Sequence, residues 1–232
     1  MKRLIPCSQH ASSPVRILHI LGSLPDCDVL ANHFALLARF DRASYEVHLA
    51  TALPEPDLAR ARICCDVFHP VPWLQSRGRP WQHWRALMAL VRVMRDQAFD
   101  LVHTWTPEAG YWGRLAAKRC RVPVVVHTHL DLPLRPFMPG WKRTLFIARE
   151  HRVRSTTDYF ISSCEAVHAQ ARQHRLLEWN RSQVVYPGID YAPLDQRTDT
   201  KVLRRELAVP ELWSVVLMVG PLDRQRAPEL LV

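Results

Sequence analysis

The stretch Val122-Pro123-Val124-Val125-Val126-His127-Thr128 decides the fold. It is apolar at consecutive positions instead of alternating ones, and it is the most apolar run in the chain. A strand with one wet face alternates apolar and polar residues; a strand covered on both faces does not. This run therefore reads as a central strand of a parallel sheet with helices on each side.

The sequence on either side repeats that pattern. Upstream, Asp100-Leu101-Val102-His103-Thr104 is a second strand, and the small-residue segment Gly110 to Arg119 is the helix that joins the two. Further back lie the strands Val15 to Leu21 and Tyr45 to Ala50. The helix Val29 to Phe40 between them carries Leu30, Phe34, Leu37 and Ala38 at helical spacing. Trp81 to Gln97 is an amphipathic helix with Trp84, Leu87, Met88, Val91 and Met94 on one stripe. Downstream come the strand Tyr159 to Ser162, the helix Glu165 to His174 and the strand Gln183 to Tyr186. Alternating strands and helices predict an α/β domain, a doubly wound Rossmann-like parallel sheet. Ligands of such sheets bind beyond the C-terminal ends of the strands.

The ends of the chain read differently. Residues 1–14 are a polar tail; Lys2 and Arg3 are followed by no apolar segment of signal type. The predicted domain covers 15–190. A polar linker, 191–210, contains a short helix from Lys201 to Leu207. Residues 211–232 open a second domain with the strand Trp213 to Gly220, and too few residues follow to complete it, so the chain reads as a fragment truncated in that domain.

Bulk properties narrow the partners. Of 232 residues, 48% are hydrophobic and 23% charged, which suits a packed globular chain. The net charge of +9 favours anionic partners, among them nucleotide-sugars, phospholipid surfaces and nucleic acids. The arginines are scattered and form no unbroken basic tract, so nucleic acid is not an expected partner. Six cysteines without C-x-x-C or zinc spacing read as free thiols of a reducing cytoplasm.

Several segments, in order, resemble glycosyltransferase family 4. They are Arg16 to Ser23, Asp100 to Thr104, Gly113-Arg114-Leu115-Ala116-Ala117, Val122 to His129, Thr157 to Ala166, Val184-Val185-Tyr186-Pro187-Gly188-Ile189-Asp190, and Val216 to Leu231. The resemblance implies the N-terminal, acceptor-side half of a GT-B fold, with a donor-binding second domain. It implies sugar transfer from a nucleotide-sugar to a hydroxyl of a glycan, lipid or lipopolysaccharide, with retention and without a metal. No cofactor is expected, since the nucleotide-sugar is a substrate. The expected location is cytoplasmic, with peripheral contact at the inner face of the plasma membrane.

The resemblance also assigns residues. His129 is the catalytic candidate, close to donor sugar and acceptor hydroxyl, where an imidazole donates a hydrogen bond or relays a proton. Gly22, His103, His127, Asp131, Glu165 and Gly188 are candidates to line the cleft, and Arg226 to meet the donor phosphates. Structural alternatives stand beside these: Asp28 as an N-cap after a plain turn at Gly22, and Ser163 with Glu165 capping the helix that follows them. The family's glycine pair is replaced near Pro25-Asp26-Cys27-Asp28, and Pro221 stands where the family has arginine. Those departures motivate an alternative function, a non-catalytic module that binds a glycan, a lipid or a partner enzyme. The segment Pro133 to Arg154 sets Phe137, Met138, Trp141 and Leu145 among Arg135, Lys142, Arg143 and Arg149. It reads either as a membrane-surface helix or as a core helix with a basic outer face.

Overall fold

The computed structural model describes residues 13–22, 27–52, 55–74, 80–135, 138–188, 200–210 and 212–216. The chain divides into two compact units, Met1–Ile189 and Asp190–Val232.

In the first unit the elements run β1 (Val15–Leu21), α1 (Cys27–Ala38), β2 (Tyr45–Thr51), α2 (Glu55–Cys64), β3 (Val67–Pro70), α3 (Pro80–Gln97), β4 (Leu101–Thr104), α4 (Pro107–Cys120), β5 (Val124–His129), α5 (Gly140–Arg154), β6 (Tyr159–Ser162), α6 (Glu165–Gln173) and β7 (Ser182–Val184). The strands form one seven-stranded sheet in the order β3-β2-β1-β4-β5-β6-β7. Every pairing is parallel. This is the doubly wound α/β sheet read from the sequence, with its switch point between β1 and β4.

Two strand-face cores cover the sheet. Leu18, Ile20, Val102 and Val125 pack with Leu87, Leu90, Val91 and Met94 of α3 and with Ala109, Ala116 and Ala117 of α4. Leu21, Val47 and Leu49 pack on the opposite face with Leu30, Phe34 and Leu37 of α1 and Ala61 of α2. A third cluster joins Phe160 to Leu132, Leu134, Ala171, Leu176 and Leu177, with Phe146 and Ile147 of α5 against it.

A recurring device sets the register. Asp66, Asp100 and Asp158 each stand one residue ahead of a strand. Each accepts a backbone N–H from the strand alongside: Val47 at 2.7 Å, Arg16 at 2.9 Å and Val125 at 2.9 Å. A carboxylate accepting an amide proton is a charge-assisted bond and stronger than a neutral one.

Helix α4 lies close on the sheet because it is built from small residues. A Cβ on Gly110 would stand 2.5 Å from Cε1 of His127. The chain leaves α4 through Arg121, whose φ of 57° ends the helix in the left-handed region.

Two elements were not read from the sequence. Strand β3 sits at the sheet edge and is short, and it ends on Pro70, which an edge tolerates. Helix α2 has almost no amphipathic signal, so periodicity does not reveal it. The face of α3 also differs from expectation. Trp84 is 57% exposed and Met88 44% exposed, while Ala86, Leu87, Leu90, Val91 and Met94 are buried. The buried stripe runs through Leu90 because α3 packs on both the sheet and α4. Helix α1 starts at Cys27, which places Asp28 inside its first turn and not at the cap.

In the second unit, α7 (Thr200–Glu206) matches the short helix expected from Lys201 to Leu207. Trp213 to Val216 are exposed and form no strand, and the remainder of the strand expected there lies outside the described residues, as does the tail 1–12. A strand needs a neighbour to pair with, and among the described residues of this unit there is no strand.

The rotated stripe of α3 gives a direct test. Leu90→Ala removes a fully buried side chain and is expected to cost about 2–5 kcal/mol in urea denaturation. Trp84→Gln is expected to stay within about 0.5 kcal/mol. Gly110→Ala, favourable by about 0.5–1 kcal/mol in an open helix, is expected to destabilise here because His127 occupies the space.

Candidate functional site

The parallel register brings the C-terminal ends of β1, β4, β5 and β6 to one edge of the sheet. Side chains alternate across a strand, so each end delivers residues to two opposite faces. This separates the strand-end histidines into two groups.

On the face of α4 and α5 stand His127 and His129. His127 is buried beside Gly110 of α4, and its Nδ1 lies 2.8 Å from the hydroxyl of Thr104. His129 is 3% exposed. Its ring stacks on Phe160 at 5.9 Å and 8°, and meets His127 edge-on at 4.6 Å. Neither ring nitrogen of His129 has a hydrogen-bond partner among the described residues. Its Nε2 lies 3.9 Å from Oε2 of Glu150 in α5.

Glu150 is 2% exposed and pairs with Arg114 of α4, which is 0% exposed. Nη2 of Arg114 donates to both carboxylate oxygens, at 2.8 and 2.7 Å, and its Nε–H donates to the carbonyl of Gly110 at 2.8 Å. Burial by itself would raise the Glu150 carboxyl; the Arg114 guanidinium and the adjacent His129 outweigh it and hold it down to about 2. His127 is held well below the ordinary histidine value, first by burial and then by Arg114. Over this group lies a narrow crevice lined by Trp105, Pro107, His127, His129, Asp131 and Phe146, with room for about one water molecule.

On the opposite face, His19 of β1, His33 of α1 and His103 of β4 pack around Trp105. Ring centroids are 5.5 Å apart for His19 and His33, and 5.2 Å for His19 and His103. The indole N–H of Trp105 donates to Nδ1 of His19 at 3.1 Å, and Nε2 of His103 is 2.8 Å from the hydroxyl of Thr128. Burial pushes His33 and His103 down to about 3, and His19 well below its ordinary value. His103 and His127, alike in sequence, thus belong to different layers.

The remaining candidates fall as follows. Gly22 is buried at the switch point, where its N–H donates to the hydroxyl of Thr106 at 3.1 Å. A Cβ there would come within 2.5 Å of that oxygen. The same hydroxyl accepts the N–H of Ala109 and caps α4. The Gly22 amide is therefore taken up by Thr106. Asp131 is exposed, accepts the N–H of Leu132 at 2.8 Å and pairs with Arg135. Glu165 is exposed in the first turn of α6, where the helix dipole favours a carboxylate. Ser163 does not cap α6. Its hydroxyl donates to the carbonyl of Leu130 at 2.6 Å, and Cys164 holds the cap position without a side-chain bond. That hydroxyl joins the β6 end to the loop after β5. Gly188 is exposed with open space around it. Arg226 and Pro221 lie outside the described residues.

Sequence reasoning missed Arg114, Glu150, Trp105 and Thr106. One signal was available for the ion pair. Arg114 is a lone charge on the small-residue face of Gly110, Gly113, Ala116 and Ala117, and Glu150 is a lone carboxylate among Arg149, Arg152 and Arg154. His127, His129 and Glu150 also place one donor atom each within 4.8 Å of one another, close enough for a single ion. A divalent cation there would add charge to a buried site that already holds the Arg114 guanidinium.

The buried histidines make stability depend on pH. In the folded chain they stay neutral below the value of 6.5 at which the unfolded chain takes up protons. The unfolded state gains protons first, so stability falls as pH drops below about 6.5, by up to about 1.4 kcal/mol per unit for each such group. The Glu150 contribution is lost only lower, between 4.5 and about 2. The urea midpoint is expected to fall between pH 6.5 and 5. His33→Leu, which removes a ring with two unpartnered nitrogens, is expected to flatten that slope.

Comparison with known proteins places this geometry. Residues 31–192 match the sequence pattern of Glycosyltransferase Family 4. A stretch of 44 residues is 39% identical to the Escherichia coli UDP-Gal:alpha-D-GlcNAc-diphosphoundecaprenol alpha-1,3-galactosyltransferase, covering 19% of this chain and 11% of that protein. Among solved structures, a glycosyltransferase from Rickettsia africae is similar with a TM-score of 0.61 at 11% identity, over 87% of this chain and 51% of that one. Anabaena HepE, in complex with UDP and glucose, gives a TM-score of 0.59 at 14% identity, over 84% and 50%. The UDP-N-acetylglucosamine 2-epimerase of Rickettsia bellii gives 0.57 at 12% identity, over 85% and 52%. These likenesses establish the fold, and the chain spans about half the length of the solved structures it matches. The family match runs from α1 through the strand ends that carry His103, His127 and His129 to the end of the first unit, and the chain belongs to Glycosyltransferase Family 4.

Proposed function

We propose that this chain supplies the acceptor side of a sugar transfer from a nucleotide-sugar to a hydroxyl, of the retaining and metal-independent kind. The observation that carries the reading is His129, a buried imidazole with both nitrogens unpartnered, under a crevice at the strand ends of a family-4 chain. Fold alone would not choose this function, since an epimerase shares it.

In this reading His129 meets a hydroxyl of the donor sugar or the acceptor. Asp131, at the mouth of the crevice, accepts from a further sugar hydroxyl once it leaves Arg135. The diphosphate keeps its own phosphate charges and gains one more as its bond to the sugar breaks, and without a metal the protein's cations must meet that charge. Arg226 is the candidate for that task. The Escherichia coli relative acts, by its name, from UDP-galactose on a sugar-diphosphate-lipid. That chemistry makes a lipid-linked diphosphate sugar the acceptor class of choice here.

A lipid-linked acceptor brings the chain to a membrane surface. No helix among the described residues is long and apolar enough to cross a membrane, so contact would be peripheral. Helix α5 combines both features weighed for it in the sequence. Phe146 and Ile147 pack inward, while Trp141 is 66% exposed, with Lys142 over its ring at 5.4 Å and Leu145 and Arg143 exposed nearby. Exposed indole beside cations suits an anionic lipid surface.

Two measurements test the proposal. A soluble GlcNAc-diphosphate-lipid analogue is expected to perturb the NMR signals of Trp105, His129 and Asp131; perturbation confined to α1 and α2 would sink the acceptor assignment. The chain is expected to co-sediment with phosphatidylglycerol vesicles at low salt, less so at high salt and less so as Trp141→Ser/Leu145→Ser. Failure to bind such vesicles at low salt removes the membrane clause. Turnover of UDP-hexoses by these 232 residues alone is expected to be absent, because the solved relatives they match are about twice as long; robust transfer would contradict that.

A further inference from the structure

His127 and His129 share a face and a strand, yet their surroundings equip them for different work. His127 is already engaged through Nδ1 with the hydroxyl of Thr104 and is backed by Gly110 of α4. The ring of His129 has no hydrogen bond among the described residues, and its charged neighbour is the Glu150 carboxylate, 3.9 Å from Nε2. The stacked Phe160 and the edge-on His127 ring hold the imidazole between them.

The carboxylate has capacity for a further bond. An ionised carboxylate offers about four acceptor sites, and one nitrogen of Arg114 reaches both Glu150 oxygens. A second proton donor can therefore approach Oε2 without displacing the arginine. Arg114 does two things at once. It keeps a buried carboxylate ionised, and it anchors that carboxylate through a guanidinium that is itself tied to the carbonyl of Gly110. The 3.9 Å gap is about 1 Å longer than a hydrogen bond, and it is short enough for the carboxylate charge to favour the tautomer with its proton on Nε2.

We propose that Glu150, anchored by Arg114, is a positioning residue that fixes the proton of His129 on Nε2 and leaves Nδ1 to accept from a sugar or acceptor hydroxyl. The role rests on the reading of His129 given above, but its test needs neither donor nor acceptor. A metal ion held by His127, His129 and Glu150 is the competing account of the same atoms. It places a divalent charge beside Arg114, whereas a proton on Nε2 leaves the site without added charge.

The experiment uses the 232-residue chain labelled with 15N-histidine. Long-range proton–nitrogen correlation spectra at neutral pH report which ring nitrogen carries the proton, and His129→Gln assigns the signal. The wild-type ring is expected to carry its proton on Nε2. Glu150→Gln keeps the shape of the side chain beside Arg114 but removes the charge that favours a proton on Nε2 of His129. The ring of His129 is then expected to lose its preference for Nε2 and populate both tautomers, while the His127 signals stay as they were and the melting temperature falls. Four results overturn the proposal. They are a wild-type ring protonated on Nδ1, a ring protonated on both nitrogens, the same tautomer in both proteins, and stoichiometric zinc binding that shifts His127 and His129 together. Breaking a buried pair costs about 3–5 kcal/mol. If Glu150→Gln does not fold, the wild-type spectrum alone still supports or overturns the assignment. Failure here leaves transfer and analogue binding untouched, so the two readings are judged separately.

Discussion

A parallel sheet must be covered on both faces, and the rest of the first unit follows from meeting that requirement. Backbone hydrogen bonds of a central strand are satisfied by its neighbours, but its side chains leave the sheet in both directions and need partners on each. Helices α1 and α2 cover one face, with Leu30, Phe34 and Leu37 over Val47 and Leu49. Helices α3 and α4 cover the other, with Leu90, Met94 and Ala116 over Leu18 and Val102. The same alternation that buries these residues sends His103 one way and His127 the other. The three aspartates ahead of β3, β4 and β6 then hold adjacent strands in the register that lines up their C-terminal ends.

Polar burial at those ends runs against ordinary packing. An unpartnered polar group in the interior costs roughly 1–3 kcal/mol, and His19, His33 and His129 all carry such nitrogens. A buried charge costs more unless it is paired, which the mutual bonds of Arg114 and Glu150 achieve. These groups are concentrated at and beneath one edge of the sheet, where β1, β4 and β5 end. The two histidine layers differ in kind. Around Trp105 the rings pack with one another and are held neutral by burial. Beneath α4 and α5 the rings sit beside an ion pair and open toward a crevice.

The fold came largely from periodicity and the site only in part. The boundaries of β1 and β6 were readable to the residue, because each is an apolar-rich run with polar, proline or glycine residues at its ends. Strand β3 and helix α2 were not, because an edge strand and a helix without an apolar stripe leave little pattern. That His129 stands at the C-terminal end of β5 was readable from the apolar run that leads to it. Its partners were not: Arg114 is 36 residues from Glu150 in sequence, and no local rule joins an arginine on one helix to a glutamate on the next. Gly22 illustrates the converse. A glycine at a strand end suggests free amides, yet the side chain of Thr106, 84 residues on, occupies that amide.

By itself, then, the sequence determined the fold class and most of the order of strands and helices along the chain, because local periodicity records which faces are buried. Tertiary structure alone decided which charged residues pair, which face each histidine joins and that α3 turns Trp84 and Met88 outward. Those outcomes depend on distances between elements far apart in the chain, and periodicity carries no information about them.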